Sequence, residues 1–174
     1  MYKKNLGENV FQSTVFYRSR KDKIERLRIP YEAGVTLDSM ANVGNDYSLG
    51  LELNTQLKLK KWWELNGNVY YYKVINDLQA GGKKETSANY DFTLNNLFRV
   101  HKNTRIQIDG NFVGPSVTTQ GRSESFWFVN LAVRQQVYNP NLQATLSFRN
   151  IFTSASYRNE ITTANLSSFT HIRP

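Results

Sequence analysis

The sequence YSLGLELNTQLKLK, residues Tyr47–Lys60, alternates between two classes of side chain along its whole length. Tyr, Leu and Thr occupy every second position, and Ser, Gly, Glu, Asn, Gln and Lys occupy the positions between them. Successive side chains of a β-strand point to opposite faces, so the pattern predicts a strand with one apolar and one polar face. A helix would mix the two classes on every side, and the pattern therefore argues against one here.

The same alternation recurs in six other segments of the chain. They are residues 9–19, 63–72, 89–100, 105–112, 127–134 and 142–149. Ordinary strands are nearer ~5–6 residues long, whereas a tilted strand needs about 9–11 residues to cross a membrane. The sequence thus predicts an all-β chain, an antiparallel meander of about seven long strands that forms part of a transmembrane β-barrel.

The connections between these strands alternate in length, which is typical of outer-membrane barrels. Short links fall at residues 60–62, 101–103 and 138–141, and long links at residues 75–87, 113–123 and 153–174. Outer-membrane barrels have short periplasmic turns and longer outer loops. Residues 23–29 and 35–41 are also expected to pair across residues 30–34, which would extend the first hairpin well above the membrane.

The apolar face has the height of a lipid-facing band. Trp63 and Tyr71 lie on it eight residues apart, and Tyr90 and Phe98 repeat that spacing in the reverse direction. At ~3.3 Å per residue and a tilt of ~40°, each pair spans about 20 Å, close to the ~25 Å band between aromatic girdles. The residues predicted to face lipid are Leu49, Leu51, Leu53, Leu57, Trp63, Leu65, Val69, Phe92, Leu94, Ile106, Ile108, Leu131 and Leu146.

The polar face is predicted to line the lumen. Its candidate residues are Glu52, Asn54, Glu64, Asp91, Arg99, Arg105, Asp109 and Arg149. Most of the charges are interpreted as hydrated cross-strand pairs, and contact with a plug or a passing solute is the alternative. Arg105 and Asp109 lie on the same strand and are expected to interact.

A basic run lies on the proposed outer hairpin and has two interpretations. It comprises Arg18, Arg20, Lys21, Lys23, Arg26 and Arg28. These cations could bind lipopolysaccharide phosphates, or they could form a solvated rim. They do not favour nucleic acid, because basic residues and stacking aromatics do not share one exposed face.

Composition narrows the chemistry further. The net charge is +8, there is no cysteine, and no apolar stretch is long enough for a membrane-spanning helix. His101 and His171 are the only histidines and are far apart in sequence, so neither a metal site nor a catalytic group is expected. The chain is therefore predicted to be no enzyme and to need no cofactor.

Several features suggest that residues 1–174 are one partial barrel domain. The N-terminus lacks the apolar core of an export signal, and seven is an odd number of strands. An open edge would leave backbone N–H and C=O groups unpaired in hydrocarbon, which costs several kcal/mol for each group. Another strand is therefore expected after Pro174, and an export signal and plug are expected elsewhere.

Three short motifs resemble the late part of the barrel in TonB-dependent receptors. Asn42-Val43-Gly44 followed by Gly50-Leu51-Glu52 is similar to a strand of that family. The turn at residues 60–65, KKWWEL, looks like the periplasmic turn that follows it, especially in the Bacteroidetes-type outer-membrane β-barrel family. Residues 149–153, RNIFT, are similar to a signature late in these barrels.

The resemblance implies a wall segment of a Gram-negative outer-membrane receptor for energised uptake of a metal chelate or a glycan. Its implied partners are outer-membrane lipid, the remainder of its own barrel and plug, and the TonB system acting through that plug. Two alternatives stay open. One is a self-contained eight-stranded outer-membrane barrel with a structural or adhesive role, and the other is a soluble β-sandwich that binds a ligand.

Overall fold

A computed structural model describes residues 1–78, 84–118, 120–138, 142–163 and 166–172. The strands of this part are β1 (Tyr2–Leu6), β2 (Asn9–Glu32), β3 (Val35–Lys60), β4 (Trp63–Leu78), β5 (Lys84–His101), β6 (Thr104–Val113), β7 (Ser116–Thr118), β8 (Gly121–Ser123), β9 (Phe126–Tyr138), β10 (Leu142–Phe148), β11 (Tyr157–Thr163) and β12 (Leu166–Ile172). Among the described residues, no helix has the length and apolar character needed to cross a membrane.

Eight strands form one antiparallel meander in the order β1-β2-β3-β4-β5-β6-β9-β10. The predicted fold class is therefore confirmed, and every one of the seven predicted strands is present. The sequence did not indicate β1, because YKKNL is only five residues long and lacks a clear alternation. No pairing joins β1 to β10 in the described ranges, so the sheet is not closed.

The β2–β3 hairpin is longer than a membrane crossing requires. β2 has 24 residues and β3 has 26, and they remain paired from Val10–Gln56 to Glu32–Val35 at the tip. The predicted outer extension of this hairpin is confirmed. The links Lys61–Trp62 and Lys102–Asn103 are the expected tight turns, whereas most of the third predicted short link, residues 139–141, lies outside the described residues.

The long links contain more structure than the sequence suggested. β7, β8, β11 and β12 form a second antiparallel sheet in the order β12-β11-β8-β7. The predicted loops at residues 113–123 and 153–174 are therefore corrected to short hairpins wherever they are described. Their strands have three to seven residues, too few to show a decisive period-two pattern.

The third long link is also shorter than expected, because β4 and β5 continue to pair as far as Asp77 and Lys84. Residues 79–83 between these strands lie outside the described ranges.

The register of the large sheet lines up side chains of one class across neighbouring strands. On the apolar face, Leu53 lies opposite Val69, and Val69 lies opposite Phe92. On the polar face, Asn54 lies opposite Asn68, which in turn lies opposite Thr93. The sheet therefore presents two continuous surfaces of contrasting chemistry, and each is a candidate for function.

Candidate functional site

Two aromatic rows cross the apolar face at different heights. In the lower row Trp63 and Phe98 are direct cross-strand partners with ring centroids 5.7 Å apart. In the upper row Tyr71 is the direct partner of Tyr90. The rows are eight residues apart on both β4 and β5, which gives about 20 Å along the membrane normal. The aromatic girdles expected from sequence are thus aligned between strands, which spacing alone did not establish.

The apolar side chains between and beyond these rows share one face of the sheet. Pairings in register place all of the predicted lipid-facing residues on it. Several remain exposed, with Leu49 at 59% and Leu94 at 44% exposure, although both are large and apolar. A β-sandwich would cover such side chains with a second layer. The exposure of this face therefore disfavours the soluble alternative.

Asn96 is a polar residue that lies on the apolar face. Its partners in the row are Leu65 and Ile108, so an unbonded amide would be costly in hydrocarbon. The Nε1–H group of Trp63 donates a hydrogen bond to Asn96 Oδ1 at 3.1 Å. The girdle tryptophan thus satisfies the amide oxygen of a residue on the same surface.

The middle of the polar face is a belt of amide and hydroxyl groups. Asn68 Nδ2 donates to Asn54 Oδ1, Asn54 Nδ2 donates to Glu52 at 2.9 Å, and Thr93 Oγ1 donates to Asn111 at 3.2 Å. An open cleft of about 460 Å³ lies along this belt and includes side chains from β1 to β5. Such a surface is built to contact water or polar groups and is a poor surface for a dry protein core.

The register places seven of the eight predicted lumen-lining residues on this face. They are Glu52, Asn54, Glu64, Asp91, Arg99, Arg105 and Asp109. The eighth, Arg149, follows the last residue of β10 and has no position in a ladder. The prediction that β10 extends through Arg149 is therefore corrected, because the chain turns at Asn150, where φ is +48°.

Two of the charge pairings can be compared with expectation. Arg99 Nη2 lies 2.9 Å from Glu64 Oε1, which is a cross-strand pair of the expected kind. The expected contact between Arg105 and Asp109 is wrong. Gln107 lies between them in sequence on the same face, and its Nε2 donates to both carboxylate oxygens of Asp109 at 3.0 and 2.9 Å.

A buried ion cluster at the outer end of the polar face was missed by sequence reasoning. Asp46 is fully buried and binds Arg20 through a two-pronged contact, with Nε to Oδ1 at 2.9 Å. Lys23 Nζ approaches the same carboxylate at 3.1 Å and also contacts Glu25. The sequence did contain a signal for it, because Asp46 lies two residues before Ser48 and therefore belongs to the same polar face of the strand.

A bulge brings these cations together. Arg20 pairs with Asp46 but Lys23 pairs with Gly44, so two residues of β2 lie opposite one residue of β3. Asp22 adopts a positive φ of 52° there, and its N–H donates to Asn45 Oδ1 at 3.1 Å. Bulges re-aim side chains in this way. Without the extra residue, Lys23 would point away from Asp46.

The predicted basic run does not form one free surface. Arg20 and Lys23 are committed to Asp46, and Arg28 Nε binds Asp38 at 2.9 Å near the hairpin tip. Half of the six cations therefore already have carboxylate partners. This reduces the case for phosphate binding and favours a rim that is internally paired.

The carboxylate at this rim should give acid sensitivity. Asp46 lies five residues beyond the upper aromatic row, about 13 Å above it and outside the membrane-spanning part. Burial by itself raises its pKa, but hydrogen bonds and charge from Arg20 and Lys23 outweigh burial, and the pKa falls below the ordinary 3.8. A lowered pKa adds stability above the unfolded-state value and loses it as the pH falls through the folded-state value.

We therefore expect D46N to be less stable than the wild type at neutral pH. The difference should begin to shrink below about pH 4, where the carboxyl group of the unfolded chain takes up its proton, and should be lost as the pH falls through the lower folded-state pKa of Asp46. Thermal unfolding of both proteins between pH 7 and pH 2 measures it. D38N removes an exposed pair on the same hairpin and should show a smaller difference, and a pH-independent difference for D46N would contradict the assignment.

The motif at residues 149–153 is a compact turn. Asn150 Oδ1 accepts hydrogen bonds from the N–H groups of Ser154 and Ala155 at 3.0 and 3.2 Å. Its own N–H donates to Asn130 Oδ1 at 3.0 Å. An Asn tolerates this left-handed backbone and bonds it locally, so the motif directs the chain out of β10 towards β11.

Among the side chains that the structure describes, no three His, Cys, Asp or Glu residues converge in a way that could hold a metal ion. Comparison with known proteins gives one family. The model of the outer membrane protein beta-barrel family matches residues 1–173. No curated protein and no solved structure matches the chain at a significant level.

Proposed function

Because the chain belongs to the outer membrane protein beta-barrel family, which locates it in the outer membrane of Gram-negative bacteria, we propose that it is a wall segment of a TonB-dependent receptor. Such a receptor takes up a bulky solute, either a metal chelate or a glycan, and the energised inner membrane supplies the energy for this uptake. Residues with apolar side chains face lipid, and residues of the polar face line the lumen.

The observation that carries this proposal is the open, amide-lined polar face of an unclosed sheet. A barrel of about eight strands is only wide enough for its own side chains to fill the interior. Here the polar face keeps a cleft of about 460 Å³, and no pairing of described residues brings β1 to β10. Both features suit a wider barrel whose lumen holds water, solute or a plug.

The proposed partners follow from the same surfaces. Outer-membrane lipid covers the apolar face, and further strands of the same barrel pair with the free edges of β1 and β10. A plug occupies the lumen and connects the receptor to the TonB system. No cofactor takes part, and transport proceeds without breaking a bond in the solute.

One observation favours a second candidate, the self-contained eight-stranded barrel with a structural or adhesive role. The large sheet has eight strands in the part of the chain that is described, and eight is a permitted number for a small barrel. Closure would need β1, with five residues, to pair with β10, with seven. Strands this short could pair over only part of the membrane thickness, so closure of the barrel between β1 and β10 is unfavourable.

Energised uptake tests the leading proposal. The gene that encodes this chain is deleted in its host, and growth is compared on ferric chelates and on glycans as single sources of iron or carbon. We expect growth to fail on one solute and to return with the wild-type gene. Uptake of that labelled solute should stop when a protonophore collapses the proton-motive force.

Uptake that continues after the protonophore would indicate passive flow and contradict the proposal. A mature membrane protein of about the mass of this chain alone, 20.1 kDa, would favour the small barrel.

A further inference from the structure

Three arginines form a row across the polar face close to the short turns. Arg99 on β5 lies opposite Arg105 on β6, and Arg105 lies opposite Arg134 on β9. Directly opposite residues of antiparallel strands have Cα atoms about 4.5–5.5 Å apart. Like charges in such positions destabilise a sheet, so this row needs a compensating anion.

The described part of the chain supplies that anion to only one of the three. Glu64 pairs with Arg99, while no acidic side chain of the described residues forms an ion pair with Arg105 or Arg134. Asp109 is the nearest acid along β6 and is occupied by Gln107. The other charged residues at this end of the polar face are four cations and one acid. They are Lys3, Lys58, Lys60, Lys102 and Glu8, and Glu8 is paired with Lys58 at 3.1 Å.

A small cleft is lined by both of the arginines that lack an acidic partner. Its volume is about 140 Å³, and Arg105 and Arg134 line it together with Leu97, Gln107, Ala132 and Thr145. Leu97 and Ala132 give the cleft apolar walls that suit methylene groups. A carboxylate between two arginines would accept charge-assisted hydrogen bonds from both. The cleft therefore has the size and chemistry for one glutamate-type side chain.

We propose that this arginine row docks an acidic polypeptide segment that lies in the lumen near the periplasmic mouth, with one carboxylate seated between Arg105 and Arg134. The inference rests on the proposed function, because a lumen occupied by a plug supplies such a segment. A polypeptide fits better than a small anion, because Arg105 and Arg134 are both exposed on an open sheet face and further cations lie beside them. A small anion needs an enclosed site that replaces most of its water.

Zero-length cross-linking in the full-length receptor tests this inference. The double variant R105K/R134K keeps both charges but provides amines, which a carbodiimide joins to a carboxylate in direct contact. Peptide mass spectrometry then identifies the acidic partner. R122K is the matched control, because Arg122 Nε lies 3.2 Å from Glu160 on the outer sheet and should cross-link to that known partner.

We expect the introduced amines to link to an acidic segment of the receptor itself. Replacing one amine by a repelling charge, as in R105K/R134E, should reduce the linked peptide about five- to thirtyfold, the factor that one or two kcal/mol produces. Absence of a link while R122K links to Glu160 would overturn the inference, and so would a link only to a carboxylated solute. The proposed function does not depend on this result, and it survives if the arginine variants still take up solute in an energised way. A wild-type protein that shows no energised uptake would overturn the proposed function separately.

Discussion

L94R is expected to reduce the free energy of unfolding from the membrane by about 2–4 kcal/mol, the cost of an arginine on the lipid face near the bilayer midplane. Leu94 lies between Gly67 and Gly110 in its row, and that row is midway between the two aromatic rows. The flanking glycines leave space for a longer side chain. The cost should therefore arise from burying charge in hydrocarbon and hardly from steric overlap. Denaturant titration of the full-length protein in lipid vesicles measures it.

N95R is the matched control for this substitution. Asn95 is the next residue on β5, points to the opposite face and lines the open cleft of the polar belt. An arginine there stays hydrated, so we expect a change below about 1 kcal/mol. L53R and N54R form a second pair with the same expected contrast. Equal losses of unfolding free energy for L94R and N95R would show that both faces contact the same medium. The receptor proposal would then be wrong.

Period-two alternation predicted the large sheet well because each strand carries its own evidence. Segments such as Tyr47–Lys60 separate apolar from polar residues so consistently that both face and strand follow from local sequence. The alternation does not show where a strand will contain a one-residue bulge. The bulge at Asp22 reverses the parity of β2, and only pairing with β3 reveals that Lys23 joins Asp46.

The second sheet shows a different limit. β7 and β8 have three residues each, and their pairing depends on contacts with distant β11. Gly121 is required there, because a Cβ atom would overlap Glu160 O and lie 2.8 Å from its carbonyl carbon. Such close approach of two backbones is a tertiary property. The arginine row is similar, since Arg99, Arg105 and Arg134 are scattered in sequence and become neighbours only through register.

The two faces of the sheet do not tolerate substitution equally. Many side chains of the apolar face are exposed, whereas aromatic residues crowd the upper part of the polar face around Gly50. Phe16 and Tyr72 are its cross-strand partners, and the Phe16 ring stacks on Tyr70 with centroids 5.4 Å apart. Aromatic rings that cover a strand glycine help to fix register. This glycine belongs to the Gly50-Leu51-Glu52 motif, which thereby acquires a packing role.

G50A is expected to destabilise the protein by about 1–3 kcal/mol, the usual cost of overpacking a filled site. The added Cβ would overlap the Phe16 ring, with Cε1 at 2.6 Å, and would lie 2.7 Å from Tyr72 Cβ. The Phe16 ring can rotate away only by leaving Tyr70, and Tyr72 Cβ cannot move without its backbone. G110A is the matched control, because a Cβ at Gly110 meets nothing within 4 Å. Removing a glycine without strain stabilises a chain by about 0.4–1 kcal/mol, so denaturant midpoints should move in opposite directions for the two variants. A shared direction would mean that the aromatic cover over Gly50 does not constrain the strand register.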